Sequence, residues 1–150
     1  MDVHRLAEWL REEHHKVDLI AGELRDRVAV APRANFDEWL GGVRDRFGHF
    51  RAHMTKHMAL EEREGYMKAV VDRQPSLSDA IDRLKHEHVE FGKLMDGLHQ
   101  VFEQIGPGDR LLVRDLCQRI ESLLRCVEHH EADENLMMVS AFTSDIGTHD

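Results

Sequence analysis

At 150 residues, with 41% hydrophobic and 33% charged side chains, the chain is long enough for one domain with its own core and too apolar to stay disordered. A net charge of -9, with lysines and arginines interleaved among acids, excludes the basic stripe that a nucleic-acid partner needs. No basic leader with an apolar run follows Met1 and no stretch approaches membrane-spanning length, so no membrane partner and a cytoplasmic location are expected. Cys117 and Cys126 fall nine residues apart in one predicted helix, too far along its axis to bridge, and read as small semi-buried residues. The outlying count is twelve histidines against one tyrosine.

The apolar spacing predicts four helices and no strand. The first spans about residues 3–28, on a stripe of Leu6, Leu10, His14, Val17, Ala21, Leu24 and Val28, and Pro32 closes it. With Asn35 as a candidate cap, the second runs over about 35–73 on Leu40, Val43, Phe47, Phe50, Met54, His57 and Glu61. Gln74-Pro75-Ser76 breaks the chain, and Ser76 or Ser78 caps the third helix, about 77–104, on Leu77, Ile81, Leu84, His88, Phe91, Met95, Leu98 and Phe102. Gly106-Pro107-Gly108 is the clearest turn, and Asp109 caps the fourth helix, about 109–141, striped by Val113, Leu116, Ile120, Leu123, Val127, His130, Glu134, Met137 and Ala141. The polar tail, 143–150, is expected to fray. Short connections make the economical fold a single all-α domain over 1–150, an up-down-up-down four-helix bundle, with a pair of dimerising helical hairpins as runner-up.

The pattern is written twice. Leu10, Glu13 and His14 reappear as Leu84, Glu87 and His88, 74 residues on, and His57 with Glu61 reappears as His130 with Glu134, 73 residues on. An imidazole and a carboxylate one turn apart on an apolar stripe point together into a core that tolerates neither without a partner. Two hairpins related by a pseudo-twofold therefore aim His14, His57, Glu61, His88, His130 and Glu134 at one centre, enough donors for two metal ions sharing carboxylates. The bare His-x-x-x-Glu spacing also occurs at His4/Glu8, His86/Glu90 and His99/Glu103, but those pairs fall off the stripes and read as solvated helix faces. His129 in place of His130 would put Arg119 and Cys126 on the stripe. His15, His53 and His129 neighbour the chosen set, with His53 the candidate seventh ligand, and Glu13 and Glu87 are equally readable as outer hydrogen-bond partners or surface acids. Imidazole and carboxylate donors suit iron, zinc or manganese, and the absence of thiolates argues against an iron-sulfur or structural zinc site.

With Leu-x-x-Glu-His at 10–14 and 84–88 and His-x-x-x-Glu at 57–61 and 130–134, the chain resembles the hemerythrin-like HHE cation-binding family over roughly residues 6–141. The resemblance implies two iron ions bridged by Glu61, Glu134 and an oxo or hydroxo group, with His14, His57, His88 and His130 as terminal ligands. Oxygen-carrying hemerythrins have a further histidine four residues after the one matched by His88; here that position is Gly92, which puts reversible carriage in doubt unless His53 substitutes. Ferritin-type cores use Glu-x-x-His on two helices, and Glu12/His15 has no second copy. The di-iron repair proteins of the family share the ligand set but carry a cysteine-bearing N-terminal domain not expected here.

The expected function is binding or reduction of a small oxidant, dioxygen, hydrogen peroxide or nitric oxide, in a pocket lined by Phe47, Phe50, Met54, Phe91, Met95 and Met137. Tyr66, five residues after Glu61, is the candidate proton donor. The alternative is a non-enzymatic module that senses oxygen or iron, or stores and donates iron, through an unidentified protein partner. The residues leave enzyme and binding module both open, and a bundle with solvated histidines and no metal is the third reading.

Overall fold

The computed structural model describes residues 2–63, 65–106 and 108–147. Four long helices, α1 (Val3–Ala29), α2 (Phe36–Arg63), α4 (Ser78–Gln104) and α5 (Arg110–Gly147), and a short α3 (Tyr66–Arg73) account for the regular structure, with one 3-10 turn at Pro75–Leu77. α1 packs on α2 and α5, and α4 packs on the same two helices, so the four long helices close a ring as an up-down-up-down bundle. Apart from Leu77, which is half-buried, the striped residues are inward, and Leu24, Val43, Leu84, Leu116 and Ile120 are fully buried.

The second predicted helix, 35–73, is corrected to two elements. α2 stops at Arg63, and Gly65 caps α3 with φ -89° and ψ -163°. A Cβ at Gly65 would lie 2.5 Å from the Glu61 carbonyl oxygen, so only glycine permits so close an approach at this corner. Below the corner α3 turns in Tyr66, Met67 and Val70, all buried, and closes one end of the bundle. Other ends differ in detail. Asn35 starts α2 with its carbonyl, 3.0 Å from the Trp39 N–H, at a positive φ of 57°. Neither Ser76 nor Ser78 caps α4: Ser76 sits in the 3-10 turn, Leu77 holds the cap position without a side-chain bond, and Ser78 is already helical. Asp109 reaches backward, its carboxylate accepting from the Gly106 N–H at 2.9 Å, and the positive φ of 91° at Gly108 makes the tight return. α5 runs on to Gly147 rather than ending near 141. Pro107 of the expected turn and the tail residues 148–150 lie outside the described residues.

The buried apolar side chains form two clusters. One contains Val17, Leu24, Phe47, Phe91 and Leu116; the other, around Leu6, Leu10, Leu84 and Met138, includes the residues of α3. Between them along each long helix lies a layer of buried polar groups, and that layer is where the duplicated pattern points.

Candidate metal centre

The layer holds Glu13, His14, His57, Glu61, His88, His130, Glu131 and Glu134, each below a tenth exposed, with Glu61 and Glu134 at 0%. Among the described residues two groups could hold a metal ion: His14, His57, Glu61 and Glu134, and Glu61, His88, His130 and Glu134, the donor atoms of each lying within 4.8 Å of one another. The two groups share both carboxylates. All six residues picked from the stripes are thus brought together, in two overlapping sets of the kind two adjacent ions need.

Each imidazole presents Nε2 inward and Nδ1 outward. His57 Nε2 lies 3.0 Å and His88 Nε2 3.3 Å from Glu61 Oε1; His14 Nε2 and His130 Nε2 lie 3.3 and 3.4 Å from Glu134 Oε1. The outer nitrogens are held across helices. His57 Nδ1 is 3.4 Å from Glu13 Oε2 and His130 Nδ1 is 2.8 Å from Glu87 Oε1; His88 Nδ1 is 3.0 Å from Glu62 Oε2 and His14 Nδ1 is 3.1 Å from Asn135 Oδ1. A partner on the outer nitrogen fixes the ring and leaves the inner nitrogen free to donate its lone pair. Glu13 and Glu87 are therefore outer partners, each serving the histidine of the neighbouring helix. Glu62 and Asn135 were missed in the sequence although they carried a signal: both directly follow a stripe glutamate, at the 73-residue offset.

The donor set fits a cation. Despite the two nearby ring nitrogens, neither oxygen of fully buried Glu61 has a hydrogen bond of acceptable geometry. His88 and His130 face each other Nε2 to Nε2 at 3.1 Å, and because each Nδ1 faces a carboxylate that takes its proton, two neutral rings would oppose lone pair to lone pair. Buried donors left in that state are costly, and a shared cation satisfies them together.

Without a metal the carboxylates divide their charge. Burial pushes both upward; at Glu61 the adjoining Glu134 carboxyl and the close His57 and His88 rings outweigh it and hold the group well below the usual range. Burial and the Glu61 charge together raise Glu134 well above its ordinary value, with the Tyr66 hydrogen bond pulling the other way. The two shifts oppose each other, Glu61 leaning to its charged form and Glu134 to its protonated one. Tyr66 donates its hydroxyl to Glu134 Oε2, so the tyrosine reaches the carboxylate of the opposite hairpin. Burial and then the two glutamates raise the Tyr66 pKa, keeping the phenol protonated.

Other expectations find their places. His53 is outside both groups; its Nε2 lies 3.9 Å from Glu13 Oε2 instead. His15 is exposed, and His129 is exposed and paired with Asp133 at 3.9 Å. His86/Glu90 and His99/Glu103 are surface ion pairs at 3.8 and 3.1 Å. Phe47, Phe50, Met54, Phe91, Met95 and Met137 pack into the two cores; Phe91 meets the His130 ring edge-on at 5.2 Å. A buried acid not foreseen is Glu131, whose carboxyl is pushed up to about 9, first by burial and then by its hydrogen bond with Asp18.

A family model for the hemerythrin HHE cation-binding domain matches residues 5–142. The chain belongs to that family. Cation binding is thereby implied for an HHE domain whose buried histidines and glutamates are grouped to accept it. No curated protein and no solved structure matches the chain. Among the described residues no helix is long and apolar enough to cross a membrane.

Proposed function

We propose that this HHE domain is a non-haem di-iron protein that binds or reduces a small oxidant, dioxygen, hydrogen peroxide or nitric oxide, at its buried carboxylate pair. The observation that carries the reading is that two four-residue groups share Glu61 and Glu134. His14 and His57 would hold one ion and His88 and His130 the other. A bound iron pair would supply two electrons and open coordination positions, chemistry that no side chain here provides alone. The chain's own part is to hold the rings through Glu13, Asn135, Glu62 and Glu87, to exclude water with the apolar cores on either side, and to keep a proton on Tyr66 beside Glu134.

The oxidant reading is favoured over iron storage by Tyr66, because a fully buried phenol bonded to a shared carboxylate sets a protonated hydroxyl beside the site, a group that storage does not require. The test is to load the protein with iron and record absorption with and without peroxide, nitric oxide and oxygen. Turnover of peroxide supports catalysis, and a reversible spectral change with any of the three supports a sensor or carrier. Full iron content in both His57→Ala and His130→Ala overturns the ligand assignment.

A further inference from the structure

The six grouped residues are each at most 5% exposed, so an ion must cross the wall of the bundle to reach them. A cation shed of water does not pass through an apolar core without ligands to replace its hydration. Along α2, His49, His53, His57 and Glu61 follow one another at four-residue steps, a ladder that starts at exposed His49, passes half-buried His53 and ends at the buried pair. The His53 Nε2 atom is buried and has no hydrogen-bond partner. It lies 3.9 Å from Glu13 Oε2, the same oxygen that lies 3.4 Å from His57 Nδ1, while Lys16 holds the other oxygen of Glu13 at 3.3 Å.

We propose that His49, His53 and Glu13 form the entry route for a divalent cation, with His53 Nε2 and Glu13 Oε2 as a transient two-ligand stop on the way to Glu61 and Glu134. This rests on the reading of the buried groups as a metal centre. The separation suits the role: two donors each about 2.1 Å from one ion sit at most about 4.2 Å apart, and the observed 3.9 Å falls within that span. With water filling the remaining positions, two protein ligands bind a cation more weakly than the four of either inner group, so the ion moves inward. Glu13 belongs to both stages, since its Oε2 faces His53 on one side and His57 on the other. The second hairpin has no such ladder: at the matching positions stand Ser122 and Cys126, and Cys126 is exposed in a groove beside Leu94 and Leu98.

The test is stopped-flow mixing of the metal-free protein with Co2+, followed by the visible absorbance of the bound ion. His53→Ala and the bulkier His53→Gln, with circular dichroism matching the parent, are expected to load about tenfold more slowly, the low end of what a lined charged path contributes to an on-rate. They should end at the parent's metal content and spectrum. His49→Ala should slow loading less, and exposed His86→Ala not at all. Loading of both His53 variants at the parent rate overturns the route, and so does a changed final content or spectrum, which makes His53 a resident ligand. If the parent itself takes no Co2+ into the buried groups, the metal-centre reading fails instead.

Discussion

In the first hairpin His14 turns its outer nitrogen to the neutral amide of Asn135, whereas in the second His88 turns the matching nitrogen to the carboxylate of Glu62. Burial lowers the pKa of His14, while at His88 the bonds to Glu61 and Glu62 overcome burial and raise it. The carboxylates split in the same way, with the Glu61 pKa lowered and the Glu134 pKa raised, and only Glu134 bonded by Tyr66. At the position after each paired histidine the first hairpin buries Met58 and the second buries Glu131. Four residues after Glu61 comes Gly65, past the end of α2 and at the cap of α3; four after Glu134 comes Met138, where α5 runs on. The duplication therefore repeats the donors but not the surroundings that shift their proton affinities, and the two metal positions are expected to bind unequally and to release protons as they fill.

The shared carboxylates give the largest expected effect. Glu61→Ala or Glu134→Ala should empty both positions, weakening binding by more than the roughly 10- to 100-fold typical of losing an outer partner. His14→Ala and His88→Ala should each weaken mainly one. Metal analysis after dialysis against a weak chelator measures this, and equal partial losses in all four variants would break the bridged arrangement.

Next comes Glu131→Gln, which removes the buried acid that has no counterpart in the first hairpin. In the unfolded chain this carboxyl loses its proton near its ordinary value of 4.5, while the folded chain keeps it to about 9, so the group lowers stability as pH rises across that window. The variant should match the parent near pH 4 and be more stable by about 2 kcal/mol near pH 8, a figure well below the unscreened shift. Urea unfolding of the metal-free proteins at the two pH values decides it.

Tyr66→Phe removes the one hydroxyl bonded to Glu134 and should cost about tenfold in metal affinity, as for an outer partner. Because that bond pulls the Glu134 pKa down, the variant keeps its proton to higher pH and the midpoint of metal binding moves upward. An isotherm series across pH shows whether it does. The smallest change is expected from Asn135→Asp, which gives His14 the kind of partner His88 has; the His14 pKa should rise and the two metal affinities converge by a few-fold. Ring titration by NMR in the metal-free protein reads the first effect, and a falling His14 pKa would remove the outer-partner account of the asymmetry.

Helical periodicity alone assigned the bundle, the four long helices and the six inward donors, because an apolar stripe every three or four residues has one way to be buried and His57, Glu61, His130 and Glu134 interrupt it in register. It also separated His130 from His129, since the wrong choice put Cys126 inside and that residue is exposed. What it did not disclose depends on neighbours distant in the chain. The break at Gly65 turns on a close approach to the Glu61 carbonyl; with the corner made, Tyr66 meets Glu134 from 68 residues away. Glu13 joins His57 rather than its neighbour His14, and His53 faces Glu13 rather than the centre, because helix rotation and crossing set which side chains meet. Residue types and spacing determined which donors the chain aims inward; tertiary packing decided which way each one's proton affinity is pushed, because that is set in a buried layer by the groups that fold against it.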